Sequence, residues 1–227
     1  MSATTSVKAA LVPAASPASA LSCSASAFCF RSSAFSATAA FPAGSAFAGA
    51  HSAIVRYDFE ENHTVGQDDH SDGVVYQYTE PEVTRVEEAP GHMEFDHETG
   101  LLYVADTGGG RVLWLDTTTG EEGEKLRQRQ EQIRTYSSWE GADWGVLVEG
   151  LEQPGGLALD GEGHLFVGEF ATGVLHAYDL KGNELHSLDT KWGGDALYGV
   201  EIGPDGALWA VNHAKPAVYR LRASQGD

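Results

Sequence analysis

Three polar side chains recur at one position of a repeated pattern in this 227-residue sequence. Asp106, Glu169 and Asn212 each end a short, mostly apolar segment, and in each case a further segment ends ten residues later. Oxygen ligands of this kind suit calcium. Acidic and amide side chains at strand ends also cap turns. The pattern therefore leaves two interpretations open, a cation or ligand site and a set of turn caps.

A second candidate site lies in the segment that opens the first repeat. His92 occupies a position that Gly156 and Gly199 fill in the later repeats, and Glu94 follows two residues further on. An imidazole at this position either binds a ligand or packs and forms hydrogen bonds. The predicted binding residues are therefore His92, Glu94, Asp106, Glu169 and Asn212.

The elements that must position these side chains are predicted to be short β-strands, because aromatic and β-branched residues dominate them and glycine-containing turns separate them. A further strand pair is expected at 73–79 and 82–86. The predicted strands of the three repeats are 90–96, 102–106 and 111–116, then 154–160, 165–169 and 173–179, then 197–203, 208–212 and 217–222, with fourth strands at 144–149 and 184–189.

The spacing of the repeats predicts the fold class. Glu169 and Asn212 are 43 residues apart, and four-stranded propeller blades repeat every 40 to 45 residues or so. Residues 51–227 are therefore predicted to form an all-β propeller of about four four-stranded blades. The spacing from Asp106 to Glu169 is 63 residues. The additional residues, at about 120–140, are rich in helix-forming side chains and predict an inserted helix outside the sheets.

These motifs resemble the NHL-repeat family of β-propellers over about residues 70–225. The resemblance rests on Pro-x-x-Leu-Ala-Leu-Asp at 154–160 and on Leu-Tyr-Val-Ala-Asp-Thr-Gly at 102–108. NHL-like propellers include enzymes and binding modules alike. The family usually closes a ring of about six blades, so the smaller number expected here implies a fragment, a short form or a ring completed by a second copy. Because an incomplete ring exposes sheet edges, we expect self-association.

Two groups of propeller enzymes also resemble parts of the chain. Pro-x-His at 90–92 resembles the zinc-dependent amidating lyases that cleave peptidyl hydroxyglycines, which makes His92 a candidate metal ligand, although only one repeat offers such a histidine. Catalytic zinc takes three protein ligands. The strand at 154–160 resembles gluconolactonase-type propellers, but Gly155 stands where that group has a metal-binding aspartate.

The function that the sequence favours is a non-catalytic binding or scaffolding propeller for a protein, a peptide or a small ligand. The alternative is a metal-dependent propeller enzyme of one of these two groups, with zinc or calcium as its cofactor. No nucleophile elbow, phosphate-binding loop or His-Glu-x-x-His motif is present in the sequence.

Charge and composition exclude several classes of protein. The net charge of −19 disfavours nucleic acid as a partner. No run of about eighteen apolar residues occurs, so no membrane span is predicted. Both cysteines, Cys23 and Cys29, precede the repeats, which excludes thiol chemistry from the predicted fold.

Residues 1–50 are rich in Ala and Ser, contain no acidic residue and predict a disordered leader that lies outside the fold. Ala-Ser-Ala at 25–27 is typical of a signal-peptide cleavage site. Followed by Phe28, it also resembles the bipartite plastid presequence of algae with secondary plastids. The leader therefore predicts the secretory pathway or a plastid if it is a targeting segment. A low-complexity tail and a mistaken gene start are equally open.

Overall fold

The computed structural model describes residues 45–50, 52–58, 71–127 and 133–221. These residues form β-strands and no helix, and no helix among them could cross a membrane. Most of the predicted leader lies outside the described residues. The first strand, at Ser45–Ala50, lies inside the range predicted as leader. The bounds of the leader and of the propeller stay a prediction, and so does the targeting role of the leader.

Four β-sheets, named A to D, contain all the described strands. Within sheets B, C and D neighbouring strands are antiparallel and follow one another in chain order, and a long connection precedes the fourth strand of sheet B. Sheet A comprises β1 (Ser45–Ala50), β2 (Ala53–Asp58), β3 (Val74–Tyr78), β8 (Thr135–Glu140) and β7 (Glu121–Lys125), in that order across the sheet; sheet B comprises β4 (Met93–Phe95), β5 (Leu101–Asp106), β6 (Arg111–Asp116) and β9 (Trp144–Glu149); sheet C comprises β10 (Pro154–Leu159), β11 (His164–Glu169), β12 (Val174–Asp179) and β13 (Glu184–Asp189); and sheet D comprises β14 (Leu197–Ile202), β15 (Leu208–Asn212) and β16 (Ala217–Arg220).

A strand is present at each position predicted for the three repeats, including the fourth strands of sheets B and C, with ends that differ from the predicted ones by up to three residues. Residue 222, the last one of the strand predicted at 217–222, lies outside the described residues. The prediction of about four four-stranded blades is not confirmed, because only sheets B and C have four strands. Sheet A has five strands and sheet D has three. The strand predicted at 82–86 is wrong. This segment runs as a loop beside sheet A, where the Val83 amide donates to the Ser52 carbonyl.

The predicted inserted helix is also wrong. The described part of the insertion forms the hairpin β7–β8, and β8 pairs in parallel with β3. Helix propensity is a weak preference that tertiary contacts override. Here the contacts come from Trp139, which packs edge-on against Tyr76 with ring centroids 4.8 Å apart and donates from Nε1 to the Thr119 carbonyl at 2.8 Å. Residues 128–132 of the insertion lie outside the described residues.

The hydrophobic core is divided into three clusters, one between each pair of consecutive sheets. Burial of a large apolar side chain contributes roughly 1.5 to 3 kcal/mol, so each contact between sheets is a separate source of stability. Cluster A/B contains Ile54, Tyr78, Val83, Met93, Leu102, Val104, Leu113 and Leu115; cluster B/C contains Tyr103, Ala105, Val112, Leu151, Leu157, Leu165, Val167 and Tyr178; cluster C/D contains Ala158, Leu175, Leu197, Val200, Ala210 and Leu221.

The first strands of sheets B, C and D approach one another at backbone distance. A Cβ atom on Gly156 of β10 would lie 2.9 Å from the Val200 nitrogen of β14. A Cβ atom on Gly155 would lie 2.8 Å from Cγ of Pro90. Real Cβ atoms are not found this close to other heavy atoms, so the approach requires glycine at both positions. The aspartate that the gluconolactonase resemblance implies at position 155 has no room here.

Substitution of Gly156 by Ala should therefore destabilise the protein. The added methyl group must push β10 away from the β14 backbone, and overpacking of this kind costs about 1 to 3 kcal/mol. The free energy of unfolding, measured by urea denaturation, checks this. Gly161→Ala is the matched control, because a Cβ atom there meets nothing within 4 Å. Equal effects of the two substitutions would contradict the close approach.

Candidate functional site

His92 lies where the first strands of sheets B, C and D meet. Its backbone amide donates to the Gly155 carbonyl of β10 at 2.9 Å. Its partly buried imidazole lies over Gly199 of β14, where a Cβ atom would be only 3.0 Å from Cε1. Burial lowers the pKa of the His92 imidazole, whereas a hydrogen bond to the Leu157 backbone raises it. With the net shift downward, the imidazole is neutral near pH 7.

Glu94 lies two residues further along β4, on the same side of the strand as His92. The pKa of its carboxyl is raised to about 7, first by burial and second by the nearby charge of Glu201, while a hydrogen bond from the Leu159 backbone lowers it. Burial also raises the pKa of Glu201, against a hydrogen bond with the Ile202 backbone. The carboxyl group of Glu94 therefore titrates in the neutral range, well above its ordinary value.

Glu201 is the residue that sequence reasoning missed. It lies in β14, the first strand of sheet D, at the position that Glu94 occupies in the first strand of sheet B. The aligned repeats contained the signal, since the two glutamates fall in the same column with Ala158 between them. We name His92, Glu94 and Glu201 together the inner-strand site.

Backbone groups at the free edge of β10 are the main hydrogen-bond partners of the inner-strand site. β10 pairs with β11 on one side only. On its other side, the Gly155 carbonyl accepts from the His92 amide, and the Leu157 and Leu159 backbones bond the side chains of His92 and Glu94. Unpaired backbone groups at a buried strand edge are costly. The polar residues of β4 thus stabilise this edge and are held in place by it.

Asp106 caps the turn between β5 and β6. The side chain is fully buried, and Oδ1 accepts from the amides of Thr84 at 2.6 Å and Gly109 at 3.2 Å. Oδ2 forms an ion pair with Arg111 Nε at 2.7 Å. The carboxylate therefore stabilises both its own turn and the loop that precedes β4.

Glu169 and Asn212 occupy the same position in sheets C and D and act in a similar way. Glu169 accepts from the Glu152 amide at 2.9 Å and from the Thr172 hydroxyl. Asn212 Oδ1 accepts from the Lys215 amide at 2.8 Å. The structure thus places Asp106, Glu169 and Asn212 in three separate turns, bonded to their own sheet or to the loop before it. It does not join them to His92 and Glu94, and the binding role predicted for them stays a prediction.

Metal-ligating side chains come together at another turn. Among the residues that the structure describes, one group of three has all its ligand atoms within 4.8 Å of one another, namely Asp160, Glu162 and His164 between β10 and β11. Asp160 Oδ2 contacts His164 Nδ1 at 2.8 Å, and Oδ1 accepts from the amides of both Glu162 and His164. These bonds cap the turn, and the sequence spacing Asp-x-Glu-x-His could have pointed to the group.

His92 does not belong to a comparable group within the described part of the chain. Its ring packs on Gly199 and bonds the Leu157 backbone. Catalytic zinc takes three protein ligands. The surroundings of His92 therefore do not fit the zinc that the resemblance to amidating lyases implies. The small cavity beside His92, between sheets A and B, has a volume of about 20 Å³, which is room for about one water molecule.

Removal of the Asp106 carboxylate should destabilise the fold rather than a ligand complex. Asp106→Ala leaves two amides and Arg111 without their acceptor, at a cost of about 3 kcal/mol in the free energy of unfolding. The control Asp143→Ala removes an exposed carboxylate and should change stability by less than about 0.5 kcal/mol. Urea denaturation measures both. A stability loss below about 1 kcal/mol for Asp106→Ala would contradict the capping role.

The raised pKa of Glu94 predicts a pH dependence of stability. Between the ordinary value of 4.5 and about 7 the folded state keeps a proton that the unfolded state has lost, so the free energy of unfolding falls as pH rises through this window. The total fall is on the order of 3 kcal/mol. Glu94→Gln should remove this part of the slope, as measured by urea denaturation from pH 5 to pH 8 or so.

The matched control is Glu121→Gln, which removes an exposed carboxylate from β7. Glu121→Gln should leave the slope between pH 5 and pH 8 or so as it is in the unmodified chain. An unchanged slope in Glu94→Gln would show that Glu94 titrates normally.

Comparison with known proteins supports the fold at a coarse level. No family model matches the sequence, and no curated protein does. Among solved structures, a streptogramin B lyase matches with a TM-score of 0.51 and 12% identity, over 85% of this chain and 53% of that one. The glutaminyl cyclase of Myxococcus xanthus matches with a TM-score of 0.49 and 10% identity, over 84% of this chain and 73% of that one.

A luciferin-regenerating enzyme is also similar, with a TM-score of 0.43 and 14% identity, over 77% of this chain and 59% of that one. Likenesses at such low identity concern the fold alone. The chain spans about half the length of the streptogramin B lyase structure. The streptogramin B lyase is a propeller protein, and at this coarse level the sheets of this chain are packed as in a β-propeller, while NHL membership in particular stays a prediction.

Proposed function

We propose that this chain is a non-catalytic binding propeller that binds a cationic group of a peptide or small molecule at the inner-strand site. The observation that carries the proposal is the pair of glutamates on β4 and β14. Their charges lie close enough for Glu201 to raise the pKa of Glu94. No cationic side chain among the described residues shifts the pKa of either glutamate, and a cation placed between the two carboxylates would supply a counter-charge.

The ligand class follows from charge. The protein carries a net charge of −19, so its field attracts cations and repels anions. Within the site, the carboxylates are the charged groups and the imidazole of His92 is neutral near pH 7. A primary amine or a guanidinium, as in a lysine or arginine side chain, can donate hydrogen bonds to both glutamates.

The remaining predicted site residues have structural roles in this proposal. His92 is a positioning residue that holds β4 against β10 through its amide and its ring. Asp106, Glu169 and Asn212 stabilise the turns that follow the second strands, at the end of the sheets where the first strands begin. We further infer that the four sheets are consecutive blades of NHL type, supported by the 43-residue spacing and by the pairing of their strands.

An enzymatic role is the alternative, and one observation favours it. A carboxyl group with a pKa of about 7 is suited to proton transfer at neutral pH. Turnover of a peptidyl hydroxyglycine or a sugar lactone by the purified chain, abolished in Glu94→Gln, would replace the binding proposal by the enzymatic one.

Calorimetric titration with agmatine and with a lysine-containing tripeptide tests the binding proposal. At least one of the two should bind, with an affinity that rises with pH through 7 and with proton release at pH 7, because the cation favours ionised Glu94. Glu94→Gln and Glu201→Gln should each weaken binding at least tenfold, about 1.4 kcal/mol.

The exposed substitution Glu121→Gln, with the same loss of charge, should leave the affinity unchanged. Binding that weakens equally in all three variants would show that only the overall charge of the protein matters. Absence of binding by both probes at pH 8 would contradict the proposed ligand class.

A further inference from the structure

Sheet D has one covered face and one open face. Val200 of β14 and Ala210 of β15 point toward sheet C and are buried in cluster C/D. Val211 and Val218 are paired across β15 and β16 on the opposite face, where they are 39% and 48% exposed. Trp209 lies on the same open face, two residues before Val211.

The same positions are covered in the preceding sheets. Val211 directly precedes Asn212 as Ala105 precedes Asp106, and Val218 follows Asn212 at the distance at which Val112 follows Asp106. In sheet B the equivalent residues are buried beneath sheet C within cluster B/C. The equivalents of Trp209, Val211 and Val218 are Tyr103, Ala105 and Val112, with 2%, 6% and 0% exposure. The open face of sheet D therefore carries apolar residues at three positions through which sheet B receives sheet C. Beside them lies Arg220, which pairs across from Trp209 and forms an ion pair with Asp205.

Within its described residues, a second copy of the chain has one free sheet face, and this is again the open face of sheet D. Sheets B and C are covered on both sides by core clusters. In sheet A, Ile54 and Tyr78 face sheet B. Val55 and Val75 point to the other face of sheet A, and they are buried as well, so this face is not free. An isologous contact, in which one patch meets its own copy about a twofold axis, is the arrangement that satisfies this constraint.

We propose that two copies of this chain associate through the open faces of their D sheets, with Trp209, Val211 and Val218 at the centre of the contact. The contact continues the series of sheet-on-sheet interfaces that runs from A to D. Like charges on the two copies oppose it, so association should strengthen when salt screens the net charge of −19 on each copy.

The proposed dimer would also border the inner-strand site, and this part rests on the proposed function. Glu201 of β14 pairs directly across from Trp209 of β15, so both side chains lie on the open face. A second copy seated on this face would close the side of the site that sheet D leaves open. Dimerisation should therefore raise the affinity for a cationic ligand.

Sedimentation equilibrium of the full chain, from about 1 µM to about 300 µM, tests the interface, because dimer content depends on protomer concentration. The expected mass rises from 24.2 kDa to twice that value, at lower concentration in high salt. Val218→Lys should raise the dissociation constant at least tenfold, since it places a charge at the centre of the contact. The matched control Val146→Lys, on β9 and 42% exposed, should not change it.

A monomer over the whole concentration range would overturn the proposal, as would growth beyond a dimer or equal weakening by both lysine substitutions. Titration with agmatine separates this result from the proposed function. Dimerisation without agmatine binding would leave the interface standing and remove the cation site. Agmatine binding by a chain that remains monomeric would remove the interface and leave the cation site standing.

Discussion

The close backbone approach of the first strands is the constraint on which the rest of the structure depends. Glycine at positions 155 and 156 lets β10 lie against the loop before β4 and against β14 at distances that exclude a Cβ atom. Sheets B, C and D consequently converge at their first strands, and clusters B/C and C/D pack between them. The turns capped by Asp106, Glu169 and Asn212 lie at this same end of the sheets, where the first strands begin.

The same approach explains the chemistry of the inner-strand site. Because β10 has no strand on its inner edge, its backbone groups are satisfied by His92 and Glu94 from β4. This use of polar side chains removes them from water, lowers the pKa of the imidazole and raises the pKa of the carboxyl toward 7. A strand edge that needs polar partners thus holds Glu94, one of the two carboxylates to which we assign ligand binding.

Local periodicity made the strands of sheets B, C and D predictable, because the pattern of apolar residues and glycine turns repeats in register with Asp106, Glu169 and Asn212. The hairpin β7–β8 was not predictable in this way. Its charged residues favour a helix, and its strand state depends on parallel pairing with β3, which is distant in sequence. The sequence pointed to Glu201 only through the alignment of the repeats, in which it occupies the same position as Glu94. The electrostatic coupling of the two side chains depends on how the sheets converge.

A direct titration of the Glu94 side-chain carboxyl by ¹³C NMR, assigned with Glu94→Gln, tests the central claim most directly. The claim is that convergence of the first strands buries Glu94 beside a second carboxylate. It predicts a midpoint at about 7, which moves down when Glu201 is replaced by Gln, because the neighbouring charge is removed. A midpoint at the ordinary value of 4.5, unaffected by that replacement, would contradict it.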